Sequence, residues 1–151
     1  ARARKSPTQK VPFLKDGDTS LNVSCSILKY LREKSGKPFF NNVQDYDQFC
    51  MVNTLLDAAV NLFLLEKNGV TPVTSSYLKR QKQRIDTGLQ ELESRSYAAS
   101  APYSDSELRL ACFLTWGLFR ERITLENYPK LSKFLVCIND YEPFKATTPH
   151  A

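Results

Sequence analysis

The chain has 151 residues, 42% of them hydrophobic and 25% charged, with a formal net charge of +5. That is the composition of a globular domain able to bury a sizeable core, and it excludes disorder of the whole chain. The longest strongly apolar stretch, Leu110 to Phe119, is far short of the ~18–20 residues that span a bilayer.

No charged segment followed by an apolar run opens the chain, so no signal peptide, no membrane partner and a cytoplasmic location are expected. Ala1-Arg2-Ala3-Arg4-Lys5 reads as a segment entered partway. The positive charge is scattered, over Arg2, Arg4 and Lys5 and then Lys79, Arg80, Lys82 and Arg84. That is the pattern of a solvated helix face, and no basic run interleaved with aromatics points to nucleic acid. Cys25, Cys50, Cys112 and Cys137 contain no C-x-x-C pair and read as reduced thiols. The last three sit in apolar helical surroundings, where a free Cys acts as a small hydrophobe. The single histidine, His150, leaves zinc sites and histidine-based triads without their ligand or base, so no metal is expected.

In chain order, Val11-Pro12-Phe13-Leu14, the turn cluster Lys15-Asp16-Gly17-Asp18 and Thr19-Ser20-Leu21 predict a β-hairpin. A helix follows over residues 22–34, with Val23, Ile27, Leu28 and Leu31 as its apolar stripe. Gly36 and Pro38 close it and mark a boundary. Residues 44–67 read as a long helix with Tyr46, Phe49, Cys50, Asn53, Leu56, Val60, Phe63 and Leu64 on a broad face, stopped by Asn68-Gly69. A second long helix over 75–94 carries Leu78, Ile85, Leu89 and Leu92 on one side. Its mid-helix Gly88 costs ~1 kcal/mol against Ala and points to close approach by a neighbour.

Ser104-Asp105-Ser106-Glu107 is a capping box, in which Ser104 accepts from the amide of Glu107 and Glu107 reaches back to the amide of Ser104. The helix after it, residues 108–119, is apolar nearly all round and reads as the buried centre of a bundle, with Phe113 and Trp116 in the core. Pro129 stands at the first position of a last helix whose inner face is Leu131, Phe134, Leu135 and Ile138. The prediction is therefore a mainly α fold, with a β-hairpin and one helix preceding a helical bundle.

Pro7-Thr8-Gln9-Lys10-Val11-Pro12, then a turn, then Ser24 ahead of Ile27-Leu28-Lys29-Tyr30-Leu31, resembles the second half of the thioredoxin-like domain of bacterial-type glutathione transferases. Tyr77 to Gln81, Gly88-Leu89, Leu92-Glu93, the Ser104/Glu107 box, Trp116, Phe119-Arg120, Tyr128-Pro129 and Pro143-Phe144 continue the resemblance through the family's helical domain. It covers about residues 6 to 149.

The resemblance implies two parts, the C-terminal half of a thioredoxin-like domain at residues 1–36 and an all-helical domain at 42–151. The family's first strand, first helix and second strand, with its thiol-activating Ser, Tyr or Cys, would lie upstream of Ala1. No residue of the chain is assigned a catalytic role, and the segment by itself is expected to be inactive. Glutathione would be held by Lys10, Val11, Pro12, Val23 and Ser24. The Val11–Pro12 bond would be cis, the Val11 backbone would pair with the cysteinyl part, and Ser24 would take the γ-glutamyl carboxylate at a helix N-terminus. Val23 stands where the family has an acidic residue, which removes a partner for the γ-glutamyl ammonium. Tyr46, Phe49 and Asn53 would face the electrophile.

The implied function is glutathione conjugation to electrophiles or glutathione-dependent peroxide reduction by a cytoplasmic homodimer. In it glutathione is the co-substrate, a small electrophile the partner, and metal, membrane and nucleic acid play no part. The alternative is a non-catalytic module of the same fold that works through protein–protein contact.

Overall fold

The computed structural model describes residues 6–8, 11–40 and 42–148, so Lys10 and His150 fall outside the described residues. The chain divides into two compact units, Ala1–Asn41 and Asn42–Ala151.

In the first unit, β1 (Leu14–Asp16) and β2 (Thr19–Leu21) pair antiparallel, Leu14 opposite Leu21 and Asp16 opposite Thr19. The hairpin is shifted from its predicted place. Lys15 and Asp16 belong to the strand rather than the turn, and the loop shrinks to Gly17-Asp18. Gly17 has φ +57°, a left-handed conformation that glycine adopts freely and that suits the first position of a two-residue loop. Pro12 has no amide hydrogen to give a ladder, and pairing begins only at Leu14.

The helix α1 (Ser24–Lys34) starts two residues later than predicted, because Val23 is extended and acts as its N-cap. Ser26 Oγ donates to the Val23 carbonyl at 2.9 Å. Of the predicted stripe only Ile27 is buried, while Val23 and Leu31 are exposed. Polar contacts fasten the helix to the hairpin instead: Tyr30 donates its hydroxyl to Asp16 at 2.8 Å, and Lys34 pairs with the same carboxylate.

These two donors, Lys34 first, hold the Asp16 carboxyl below the usual carboxylate range, and the Asp16 carboxylate in turn raises Lys34. A carboxyl lowered by folding stabilises the folded state above its unfolded pKa, and that contribution is lost as pH falls through the folded value. The Asp16 tie is therefore complete at neutral pH and opens only on strong acidification. An NMR titration following Tyr30 should show its shift move as pH falls through the lowered Asp16 pKa in the native chain and stay flat in Asp16→Asn.

The second unit is a bundle of α2 (Val43–Glu66), α3 (Ser76–Ser94), α4 (Asp105–Phe119), α5 (Pro129–Asn139) and the short α6 (Glu142–Lys145). By length and composition α2 is long and apolar enough to cross a membrane, which corrects the expectation drawn from Leu110 to Phe119 alone. Its buried side, however, is Gln48, Phe49, Val52, Leu55, Ala58, Ala59 and Leu62, packed on α3 and α4. The predicted face shares only Phe49 with that side. A helix apolar on most sides carries little directional signal, and the small side chains of Ala58 and Ala59 select the side that neighbouring backbones approach. Amphipathic α3 behaves as predicted, with Leu78, Ile85, Leu89 and Leu92 buried.

The helix α4 begins at Asp105, three residues before the predicted start, because the capping box counts Glu107 as its third residue. Glu107 accepts from two amides, Ser104 N at 2.9 Å and Ala98 N at 2.7 Å, so the box also ties down the incoming loop. Ser104→Ala should cost ~1 kcal/mol in urea unfolding followed by the fluorescence of Trp116, the only tryptophan.

Phe113 is fully buried, but Trp116 is only partly so, edge-on to Phe63 with ring centroids 6.1 Å apart. Cys112 is exposed on α4, and burial of its thiol still pushes its pKa up. Pro129 opens α5, and Leu131, Phe134 and Ile138 are buried. The amides of Lys130 and Leu131 donate to the Glu93 carboxylate at 2.8 and 3.0 Å, so α3 caps the start of α5.

Candidate functional site

The register of the hairpin decides what its open end carries. With Leu14 opposite Leu21, Pro12 stands two residues before the ladder and Val23 two residues after it. Val11-Pro12 and Val23-Ser24 therefore leave the hairpin at the same end, opposite the Gly17-Asp18 loop. The Val11–Pro12 peptide is cis, as the resemblance implies. Val11 is 68% exposed and Val23 57% exposed, while Ser24 is half-buried.

Ser24 is the first residue of α1, and Val23 supplies no side-chain cap. Most helix N-termini gain an acceptor from a Ser, Thr, Asp or Asn at the cap or an acid in the first turn; α1 has neither. Its first turn thus presents backbone donors and the Ser24 hydroxyl at one place, suited to a carboxylate. Lys10, the remaining predicted contact, lies outside the described residues.

The three residues predicted to face an electrophile follow one another along α2 and have different surroundings. Tyr46 is 46% exposed, Phe49 is fully buried, and Asn53 is half-buried. Asn53 Oδ1 accepts from Arg109 Nε at 2.5 Å, and the Arg109 guanidinium lies 5.8 Å from the Phe49 ring centre. Sequence reading missed Arg109 because the pairing joins residues 56 positions apart.

A polar network at the start of α2 and α4 was missed for the same reason. Gln48 Nε2 donates to Ser106 Oγ at 3.1 Å, Ser106 donates to Asp45, and Arg95 donates to Gln48 Oε1 at 3.3 Å. Only the capping pair of Asn42 with the Asp45 amide, an Asn-x-x-Asp pattern, could have drawn attention to it. Among the described residues no cluster of His, Cys, Asp and Glu could hold a metal ion.

No protein-family model and no curated relative matches the chain. Solved structures do match. A glutathione S-transferase of Methylobacterium radiotolerans in complex with glutathione sulfonate is 19% identical, with a TM-score of 0.81 over 99% of this chain and 77% of that one. A glutathione S-transferase of Methylobacillus flagellatus with glutathione bound is 21% identical, with a TM-score of 0.82 over 99% of this chain and 80% of that one. A maleylacetoacetate isomerase of Methylobacterium extorquens, with malonate and glutathione bound, is 22% identical, with a TM-score of 0.61 over 95% and 74%. The fold of the chain is that of the glutathione S-transferases.

Proposed function

We propose that the chain binds glutathione at the open end of the hairpin and serves a glutathione transferase that conjugates electrophiles or reduces peroxides. The observation that carries the reading is the joint placement of an exposed Val11 and an α1 N-terminus without a side-chain cap, within a fold whose solved examples include glutathione-bound proteins.

In this reading Val11 and Pro12 present backbone groups to the cysteinyl part, as an added strand does. The Ser24 hydroxyl and first-turn amides take the γ-glutamyl carboxylate, and Lys10 precedes Val11 in sequence. Val23, being apolar, leaves the γ-glutamyl ammonium without the acid that would otherwise face it, which lowers affinity. Tyr46, Phe49 and Asn53 on α2 are the residues assigned to the electrophile; of them Tyr46 is exposed, Asn53 half-buried and Phe49 buried. None of these residues activates the glutathione thiol, so their part in the reaction is to bind and orient the tripeptide. The active assembly is a cytoplasmic homodimer.

A comparison of reduced glutathione with cysteinylglycine tests the assignment. The dipeptide lacks the γ-glutamyl carboxylate, so it should shift the NMR signals of Ser24 and Cys25 far less than glutathione at equal concentration. Equal shifts would remove the helix N-terminus from the site. Val23 also favours a second reading, a non-catalytic module of this fold that acts by protein contact; that reading predicts no response to either compound.

A further inference from the structure

A second concave site lies within the helical unit, on residues the glutathione reading does not use. An open pocket of about 210 Å³ is lined by Arg95, Tyr97, Lys130, Lys133, Phe134 and Cys137, with Ser96 and two alanines completing it. An engineered cavity of about 150 Å³ already holds benzene, so one aromatic ring fits.

The lining combines rings and cations and contains no carboxylate. Tyr97 and Phe134 pack ring against ring, tilted by 35° with centroids 4.8 Å apart. Phe134 is buried, and the Tyr97 hydroxyl donates to the Leu92 carbonyl at 2.6 Å, so both rings are fixed. Lys130, Lys133, Phe134 and Cys137 follow helical spacing on α5 and share one face.

Arg95 is committed to Glu91 at 3.1 Å and to Gln48. Lys130 and Lys133 have no carboxylate within ion-pair distance among the described residues. Glu93 occupies the first-turn amides of α5, and the ammonium groups of Lys130 and Lys133 are the cations of the lining outside any ion pair among the described residues. An apolar floor with a few convergent charged groups is the usual make-up of a small-molecule site.

We propose that this pocket binds a monocyclic aromatic carboxylate, its ring against Phe134 and Tyr97 and its carboxylate between Lys130 and Lys133.

The test is an NMR titration of the full chain with benzoate at pH 7, beside benzyl alcohol and beside the double variant Lys130→Gln/Lys133→Gln. Both lysines are exposed, so the variant keeps the fold. Saturable shifts at Tyr97 and Phe134 are expected with benzoate, with affinity at least about tenfold weaker for the alcohol and for the variant. A second readout is covalent. Saturating benzoate should slow alkylation of Cys137 and leave the exposed Cys112 unchanged, as read by peptide mapping. Equal affinity of the acid and the alcohol, an unaffected variant, absent saturation up to about 10 mM, or an unprotected Cys137 would each overturn the assignment.

Discussion

Phe113→Ala should lower the stability of the helical unit by about 3–5 kcal/mol. Phe113 is 0% exposed and sits on α4 among Leu110, Ala111 and Leu114, which are also fully buried. Truncation removes the transfer free energy of the ring and leaves a cavity that such closely packed neighbours refill only in part. Urea unfolding followed by Trp116, on the same helix, measures the loss directly. An effect under about 1 kcal/mol would mean that α4 is not the centre of the bundle.

Gly88→Leu should cost about 3 kcal/mol, although a glycine inside a helix normally invites stabilisation by a larger residue. A Cβ at position 88 would stand 2.4 Å from Cδ2 and 2.6 Å from Cδ1 of Leu55, closer than real atoms approach. Leu55 is itself 2% exposed, so its side chain has little room to turn away. The clash is specific to one partner, which separates it from general damage. Leu55→Ala alone should destabilise by about 2–5 kcal/mol. The double variant Leu55→Ala/Gly88→Leu should be more stable than the two losses added together, because the new leucine enters the space vacated. Strict additivity would mean that α2 and α3 do not cross at this pair.

Gly88 also illustrates what was legible in advance. Its position mid-helix, inside a stripe of large apolar residues, signalled a close neighbour, and the structure identifies that neighbour as Leu55. The Ser104/Glu107 box and Pro129 were legible because capping chemistry is local, contained within four residues. The buried side of α2 was not legible, since apolar residues occupy most of its circumference and periodicity has nothing to resolve. In the hairpin, the turn cluster was found but its width was not. Lys15 and Asp16 have turn-like chemistry, yet Asp16 is held in the strand by Tyr30 and Lys34 from 14 and 18 residues away.

The same distinction runs through the candidate sites. Val11, Pro12 and Ser24 form a recognisable pattern in a short segment, and the hairpin register explains why they reach one end of their unit. Arg109 and the pocket at Lys130 and Lys133 depend on contacts between helices remote in sequence, which no local pattern announces. The overall fold was accessible because the order of weak motifs is informative even where each one is not, and solved glutathione S-transferases share it at 15% and 21% identity.

The most direct test of the central claim is isothermal titration of the chain with reduced glutathione, run beside Ser24→Ala. The hydroxyl of Ser24 is assigned a hydrogen bond to a carboxylate, worth about 1.5–3 kcal/mol. Measurable binding is therefore expected at about 1 mM or tighter, weakened at least about tenfold in the variant. A folded chain that gives no heat with glutathione, or a variant that binds as well as the native chain, would contradict it.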